Sequence, residues 1–144
     1  MVHIVNAGNA AHYEIEKAPA HKLRHQVFVE ERRWEALRRP DGHDIDQFDT
    51  DEAIHILAIE DGAVVGYSRL LPTVGPHLLS AVYPGLAERP IPRAPNIFEW
   101  TRYCVSPRIT RAAIERCSRV LRVRQSDFKS RGSPRPAIPM PIAA

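Results

Sequence analysis

The stretch Phe98-Glu99-Trp100-Thr101-Arg102-Tyr103-Cys104-Val105 decides how this chain is read. β-Branched and aromatic residues dominate it, and the helix-start pair Ser106-Pro107 closes it, so it reads as a buried strand. Two charges break that pattern. A buried carboxylate must be paired or put to use, which makes Glu99 either a general base or one half of a structural ion pair with Arg102 or Arg69. The residues alone leave both open. Glu99 and Arg102 are three apart and face opposite sides of a regular strand. Both can serve one pocket only if the strand carries a bulge or Arg102 sits at its end.

Upstream, Ile54–Glu60 and Ala63–Leu71 are apolar runs joined by Asp61-Gly62, a strong hairpin signal. Arg69 lies two positions from Tyr67 and shares its face. Between the hairpin and the Phe98 strand, the spacing predicts one helix over about His77–Glu88, bounded by prolines. Nearer the N-terminus, Val2–Val5 reads as a short strand and Ala10–Ala18 as a weakly periodic helix. Leu23, Val27 and Phe28 then mark a better-defined helix, with His21, Arg24 and His25 on the neighbouring face. Arg38–Glu52 is a polar loop opened by the turn Pro40-Asp41-Gly42, and Ile45 and Phe48 within it suggest docking on the body. Downstream, Ser106 caps a helix whose apolar face would carry Ile109, Ala113, Cys117, Val120 and Leu121. The order of strand, helices, hairpin, helix, strand and helix points to an α/β (α+β) sandwich.

The 144 residues and 44% hydrophobic content allow one core and one domain. The net charge of +3 hides a split. Up to Val105 there are 11 Lys and Arg against 15 Asp and Glu, a net of −4; from Ser106 the count is 9 against 2, a net of +7. Charge of that kind suits nucleic acid, a membrane surface or an acidic protein without choosing among them. Two cysteines, Cys104 and Cys117, give no disulfide framework and no CxxC metal site. With no signal-peptide pattern and no apolar run of membrane-spanning length, a cytoplasmic location is expected.

Other chemistry is thinly signalled. The acids Asp44, Asp46, Asp49 and Asp51 lack the glycine and terminal glutamate of an EF-hand loop, and a solvated loop is the default. His21 and His25 stand one helical turn apart with no third metal ligand near them, and are expected to face solvent. Phe28 and Trp34 read as core residues, with a lid over a ligand as the alternative. No phosphate-cradling glycine loop or nucleophile elbow is present.

Four ordered pieces nevertheless resemble the LuxI-type autoinducer synthases, the acyl-homoserine-lactone synthases. They are Leu23–Glu31 with Trp34; Asp41-Gly42 through Asp46-Gln47-Phe48-Asp49; the hairpin with Gly66 and Arg69; and Phe98-Glu99-Trp100-Thr101-Arg102. The resemblance implies a three-layer α/β sandwich with a mixed sheet, similar to the N-acetyltransferase fold. It implies acyl transfer from a thioester of acyl carrier protein or coenzyme A to the amine of S-adenosylmethionine. Lactonisation then releases methylthioadenosine. It makes S-adenosylmethionine a substrate and calls for no cofactor or metal, nucleic acid or membrane. By resemblance Glu99 is the catalytic base. Arg24, Phe28 and Trp34 close over S-adenosylmethionine, and Asp46 and Asp49 meet its positive charges or hold the arginines. Arg69 and Arg102 fix carboxylates. The basic helix would meet acidic acyl carrier protein. The resemblance covers about residues 1–124; 125–144 is expected to be a basic, proline-rich, unpacked tail. The C-terminal part of the family fold, with much of its acyl pocket, is expected to be missing. The alternative is an inactive remnant that at most binds S-adenosylmethionine or a protein.

Overall fold

The structure is a computed structural model that describes residues 1–109. The helix expected after Ser106, the boundary at residues 124 and 125 and the basic tail lie outside the described residues.

Four strands form one sheet in the order β1-β2-β3-β4, where β1 is Val2–Val5, β2 Ile54–Glu60, β3 Ala63–Pro72 and β4 Phe98–Val105. All three described pairings are antiparallel, so a parallel pair of the expected mixed sheet has no counterpart among the described residues. The β2–β3 hairpin turns where the sequence places it. Asp61 and Gly62 both take positive φ, 50° and 76°, as the tight turn that matches strand twist requires.

One face of the sheet is covered by helix α1, Glu14–His25. The two expected helical stretches are one continuous run, entered through a 3-10 turn at Ala10–Tyr13 and continued by a π-helical segment at Gln26–Glu31. Pro19 sits inside α1 without breaking it. Apolar spacing explains the docking: Ala20, Leu23, Val27 and Phe28 point inward and pack with Val5, Leu57, Tyr67 and Cys104. Full burial of one such large apolar side chain contributes about 1.5–3 kcal/mol. Phe48, Ala53 and Leu71 form a smaller cluster that docks the polar loop.

Two expectations are corrected. The Phe98 strand is only half buried, because Phe98, Trp100 and Tyr103 are 40%, 45% and 40% exposed on the face away from α1. It is the last strand of the described sheet, and helices among the described residues cover the other face. The helix expected over His77–Glu88 is a single turn, α2 at Leu78–Ala81, followed by a 3-10 turn at Pro84–Leu86. Pro84 and Gly85 stop its propagation.

Candidate active site

The bulge allowed by the spacing of Glu99 and Arg102 is present in β4. Tyr67 pairs with Cys104 and Arg69 with Thr101, so two residues of β4, Arg102 and Tyr103, oppose Ser68 alone. Arg102 takes the left-handed region at φ 53°, a conformation that costs a non-glycine residue roughly 1–2 kcal/mol. The extra residue resets the alternation. Trp100 and Tyr103, three apart, meet edge to face at 5.6 Å on the outer face. Thr101, Arg102 and Cys104 all reach the helix side, where their partners are Arg69, Asp44 and the main core. Glu99 pairs across the sheet with Leu71, which packs against Phe48, and so shares that side.

On this face three arginines meet three aspartates. Arg24, fully buried in α1, donates from Nε to Asp44 Oδ2 at 3.1 Å and bidentately to Asp49 at 2.7 and 3.0 Å. Arg69, fully buried in β3, holds Asp46 bidentately at 2.7 and 3.0 Å, reaches Asp49 at 2.7 Å and donates to Thr101 Oγ1. Arg102 spans Asp44 at 2.8 Å and Asp46 at 2.9 Å. Formal charge cancels within the lattice. Every aspartate is shared, so each carboxylate tethers two elements.

Electrostatics follow from burial set against pairing. Burial alone would raise the Asp49 carboxyl, but the hydrogen bond and charge of Arg24 and the charge of Arg69 hold it well below the usual carboxylate range. Burial would likewise weaken the Arg24 cation, yet its anionic surroundings push it above its ordinary value. Tyr67 hydroxyl, the acceptor of a 3.2 Å bond from Arg24, is raised chiefly by burial, and the His55 ring beside it is lowered to about 4, again chiefly by burial. Cys104 thiol is pushed up to about 12 by burial, which leaves it protonated and inert near neutral pH.

Phe28 and Trp34 stack at 5.1 Å with an interplanar angle of 23°. The helix end sets this geometry: Arg33 turns at φ 60° and Trp34 N–H bonds Phe28 carbonyl, a 7→1 closure one residue wider than a Schellman bond, in keeping with the π-helical last turn. Arg102 lies 5.6 Å from the Phe28 ring centre, so the aromatic pair abuts the lattice. Phe28 is a core residue, while Trp34 is only partly buried on top of it.

Glu99 pairs with neither arginine. Its Oε2 accepts the Leu78 N–H at 2.7 Å, its Oε1 accepts the Leu79 N–H at 2.8 Å, and His77 Nδ1 lies 3.3 Å from Oε2. The structural ion pair with Arg69 or Arg102 is therefore absent from the described residues. The Glu99 side chain keeps 19% exposure, so the carboxylate remains reachable.

Seven predicted residues, Arg24, Phe28, Trp34, Asp46, Asp49, Arg69 and Arg102, gather in one connected group, with Glu99 beside it on the same sheet face. Two were missed. Asp44 reads in sequence as one loop acid among four, but it is 1% exposed and bridges Arg24 to Arg102. Charge balance was the signal: three arginines on a buried face need three carboxylates. His77 carried no sequence signal beyond its place before α2. The expectation that His21 and His25 face solvent is also corrected. His25 is buried against the core, and His21 is half buried under the loop, its carbonyl accepting the Asp44 N–H and its ring lowered chiefly by burial.

The autoinducer synthase family profile matches residues 9–124. The chain belongs to the autoinducer synthase family. An isovaleryl-homoserine lactone synthase of Bradyrhizobium diazoefficiens is 46% identical over 73% of this chain and 48% of its own length. The CoA-dependent acyl-homoserine lactone synthase BjaI, solved with SAM and isopentyl-CoA, superposes with a TM-score of 0.70 at 46% identity, covering 73% of this chain and 50% of that one. An acyl-CoA N-acyltransferase from Pseudomonas aeruginosa, 20% identical with a TM-score of 0.50, covers 85% of this chain and 66% of its own and shares the fold. This autoinducer synthase homologue spans about half the length of the curated relatives it matches first.

Proposed function

We propose that the chain carries acyl-homoserine-lactone synthase chemistry in the cytoplasm, supplying a quorum-sensing signal. An acyl group passes from its thioester to the amine of S-adenosylmethionine, and the methionyl carboxylate then closes the lactone with release of methylthioadenosine. The observation that carries this reading is Glu99: a part-exposed carboxylate, unpaired with arginine among the described residues, held by two backbone N–H groups beside the buried lattice. An α-ammonium must lose a proton before it attacks a thioester, and a fixed carboxylate within reach, directly or through one water, can take it.

The remaining residues divide the work. Asp46, the most exposed lattice aspartate, and Trp34 line the approach to the positively charged substrate; cation and ring attract. Arg102, at the lattice rim with Nε on Asp44 and Nη2 on Asp46, offers its remaining Nη1 to the methionyl carboxylate. Arg24, Arg69 and Asp49 hold the floor. The CoA dependence of BjaI favours acyl-CoA over acyl carrier protein as donor.

The test is mass spectrometry for acyl-homoserine lactones after purified protein is incubated with S-adenosylmethionine and a panel of coenzyme A and acyl carrier protein thioesters. Glu99→Gln runs beside it. A lactone formed by the wild type and lost in Glu99→Gln is the expected result. Silence across the panel from folded protein overturns the reading in favour of a protein that binds without turnover.

A further inference from the structure

The buried group that this chemistry leaves unused is His77. It immediately precedes α2, is 1% exposed, and neither ring nitrogen has a hydrogen-bond partner of good geometry among the described residues, although the Ser80 backbone N–H approaches the ring in a loose capping-box arrangement. Buried polar atoms are nearly always satisfied, so a ring enclosed in this way has a task or a cost. Glu99 is the one charged group at ion-pairing distance from it among the described residues, with Nδ1 3.3 Å from Oε2.

The local covalent structure ties the two together. His77, Leu78 and Leu79 are consecutive, and all three present a nitrogen to the same carboxylate. His77 backbone is fixed in turn, because its N–H donates to Ser80 Oγ at 3.0 Å and Ser80 hydroxyl donates back to the His77 carbonyl at 3.1 Å. The turn therefore delivers the ring and the two N–H donors as one rigid unit. A carboxylate held by the N–H pair alone can still rock about its donors; a third donor from the side fixes its plane.

We propose that His77 is a positioning residue for Glu99, its Nδ1–H bonding Oε2 and orienting the carboxylate toward the incoming amine. The inference rests on the acyl-transfer reading above. When Glu99 takes the proton, a substrate N–H bond breaks and an O–H bond forms on the carboxyl; His77 keeps its Nδ1 proton and undergoes no covalent change. Contacts of this kind, loose beforehand, tighten in the reacting complex.

The experiment uses the full chain in three forms. His77→Asn keeps a donor near the position of Nδ1, and His77→Leu fills the volume without one. Methylthioadenosine release should show His77→Leu losing roughly 10- to 100-fold in kcat, the scale on which partners that orient a reacting group act, with KM for S-adenosylmethionine held within about twofold. His77→Asn should recover most of that loss. A purely structural ring would instead lower Tm in both variants and leave kcat of the folded fraction unchanged, which overturns the proposal. Nitrogen-15 NMR of histidine-labelled protein reads the contact without turnover. Wild type should show His77 protonated at Nδ1, and Glu99→Gln should abolish that tautomer preference. A His77 signal indifferent to Glu99→Gln overturns the proposal even in an active enzyme. Coupling seen in a protein that forms no lactone overturns the acyl-transfer reading, and His77's catalytic role falls with it.

Discussion

One face of β4 handles charge in two opposite ways. At Thr101 and Arg102 it joins a closed lattice in which every guanidinium and carboxylate is spoken for by another charged side chain. At Glu99 the carboxylate meets, among the described residues, only backbone N–H groups and an imidazole. The lattice is matched charge by charge, so its worth lies in holding α1, the loop, β3 and β4 in register. Glu99 ties down a single helical turn and keeps its charge for something else. Buried pairs are costly to break from one side, while Glu99 has no guanidinium or ammonium partner among the described residues to be left behind. The first region should therefore govern stability and the second turnover.

The sharpest way to break this comparison is to cross the two readouts. Glu99→Gln should lower methylthioadenosine release by about 10²–10⁴-fold, the usual worth of a general base, and cost only about 1–3 kcal/mol in folding stability, because its NH2 turns toward one of the two backbone N–H groups that Glu99 accepts. Arg69→Met should do the converse. It leaves Asp49 with Arg24 alone and Asp46 with Arg102 and a 4.0 Å contact from Arg24, and should cost about 3–5 kcal/mol in urea unfolding, the range for removing one partner of a buried pair. If Glu99→Gln destabilises as much as Arg69→Met, the division between the regions is wrong.

The same division explains what was legible beforehand. The hairpin was readable because Asp61-Gly62 between apolar runs is a local signal that long-range packing does not override. The bulge at Arg102 was readable as a condition, since two functional charges three apart on a strand demand one. Half-burial of β4 was not, because Phe98 and Trp100 carry the same apolar signal whether covered or open. The resemblance offers Asp46 and Asp49 as holders of the arginines, but neither Asp44 nor the link from Arg24 to Asp49 can be read from it. Asp44, Asp46, Asp49 and Asp51 look alike in sequence, and only the docking of Phe48 sends the first three inward while leaving Asp51 exposed. Histidines mislead for a related reason: His21, His25, His55 and His77 owe their burial to elements distant in the chain.

A pH series sharpens the lattice side. His55 is lowered to about 4 in the folded state from an ordinary 6.5, so the unfolded chain binds the proton first as pH falls. Stability is full above about 6.5, declines as pH falls toward 4 and then levels for this group. After discounting for the solvent that reaches this partly exposed ring, the loss is on the order of 1–2 kcal/mol. Asp49 acts lower down: its folded value is depressed, so its contribution is present above the ordinary carboxylate range near 3.9 and is lost as pH falls below it. Urea midpoints against pH should show the first decline in wild type and lose most of it in His55→Gln, leaving the smaller share of His21, whose ring is also lowered by burial. A decline that survives His55→Gln undiminished belongs to another histidine.

The smallest expected effect tests where the two regions meet. Trp34 stacks on Phe28, and Phe28 lies under Arg102, so the aromatic pair either belongs to the structural lattice or serves as a surface for substrate. A double-mutant cycle with Phe28→Leu and Trp34→Leu should give a coupling of about 0.5–1.5 kcal/mol in stability, the worth of an aromatic pair beyond its buried area. Substrate binding separates the alternatives. If the partly exposed Trp34 face meets the sulfonium, Trp34→Leu raises KM for S-adenosylmethionine by several-fold, about 1 kcal/mol at an exposed ring, while kcat stays near wild type. An unchanged KM alongside the full stability coupling would assign Trp34 to the lattice and leave Asp46 and Arg102 as the side chains that meet the substrate.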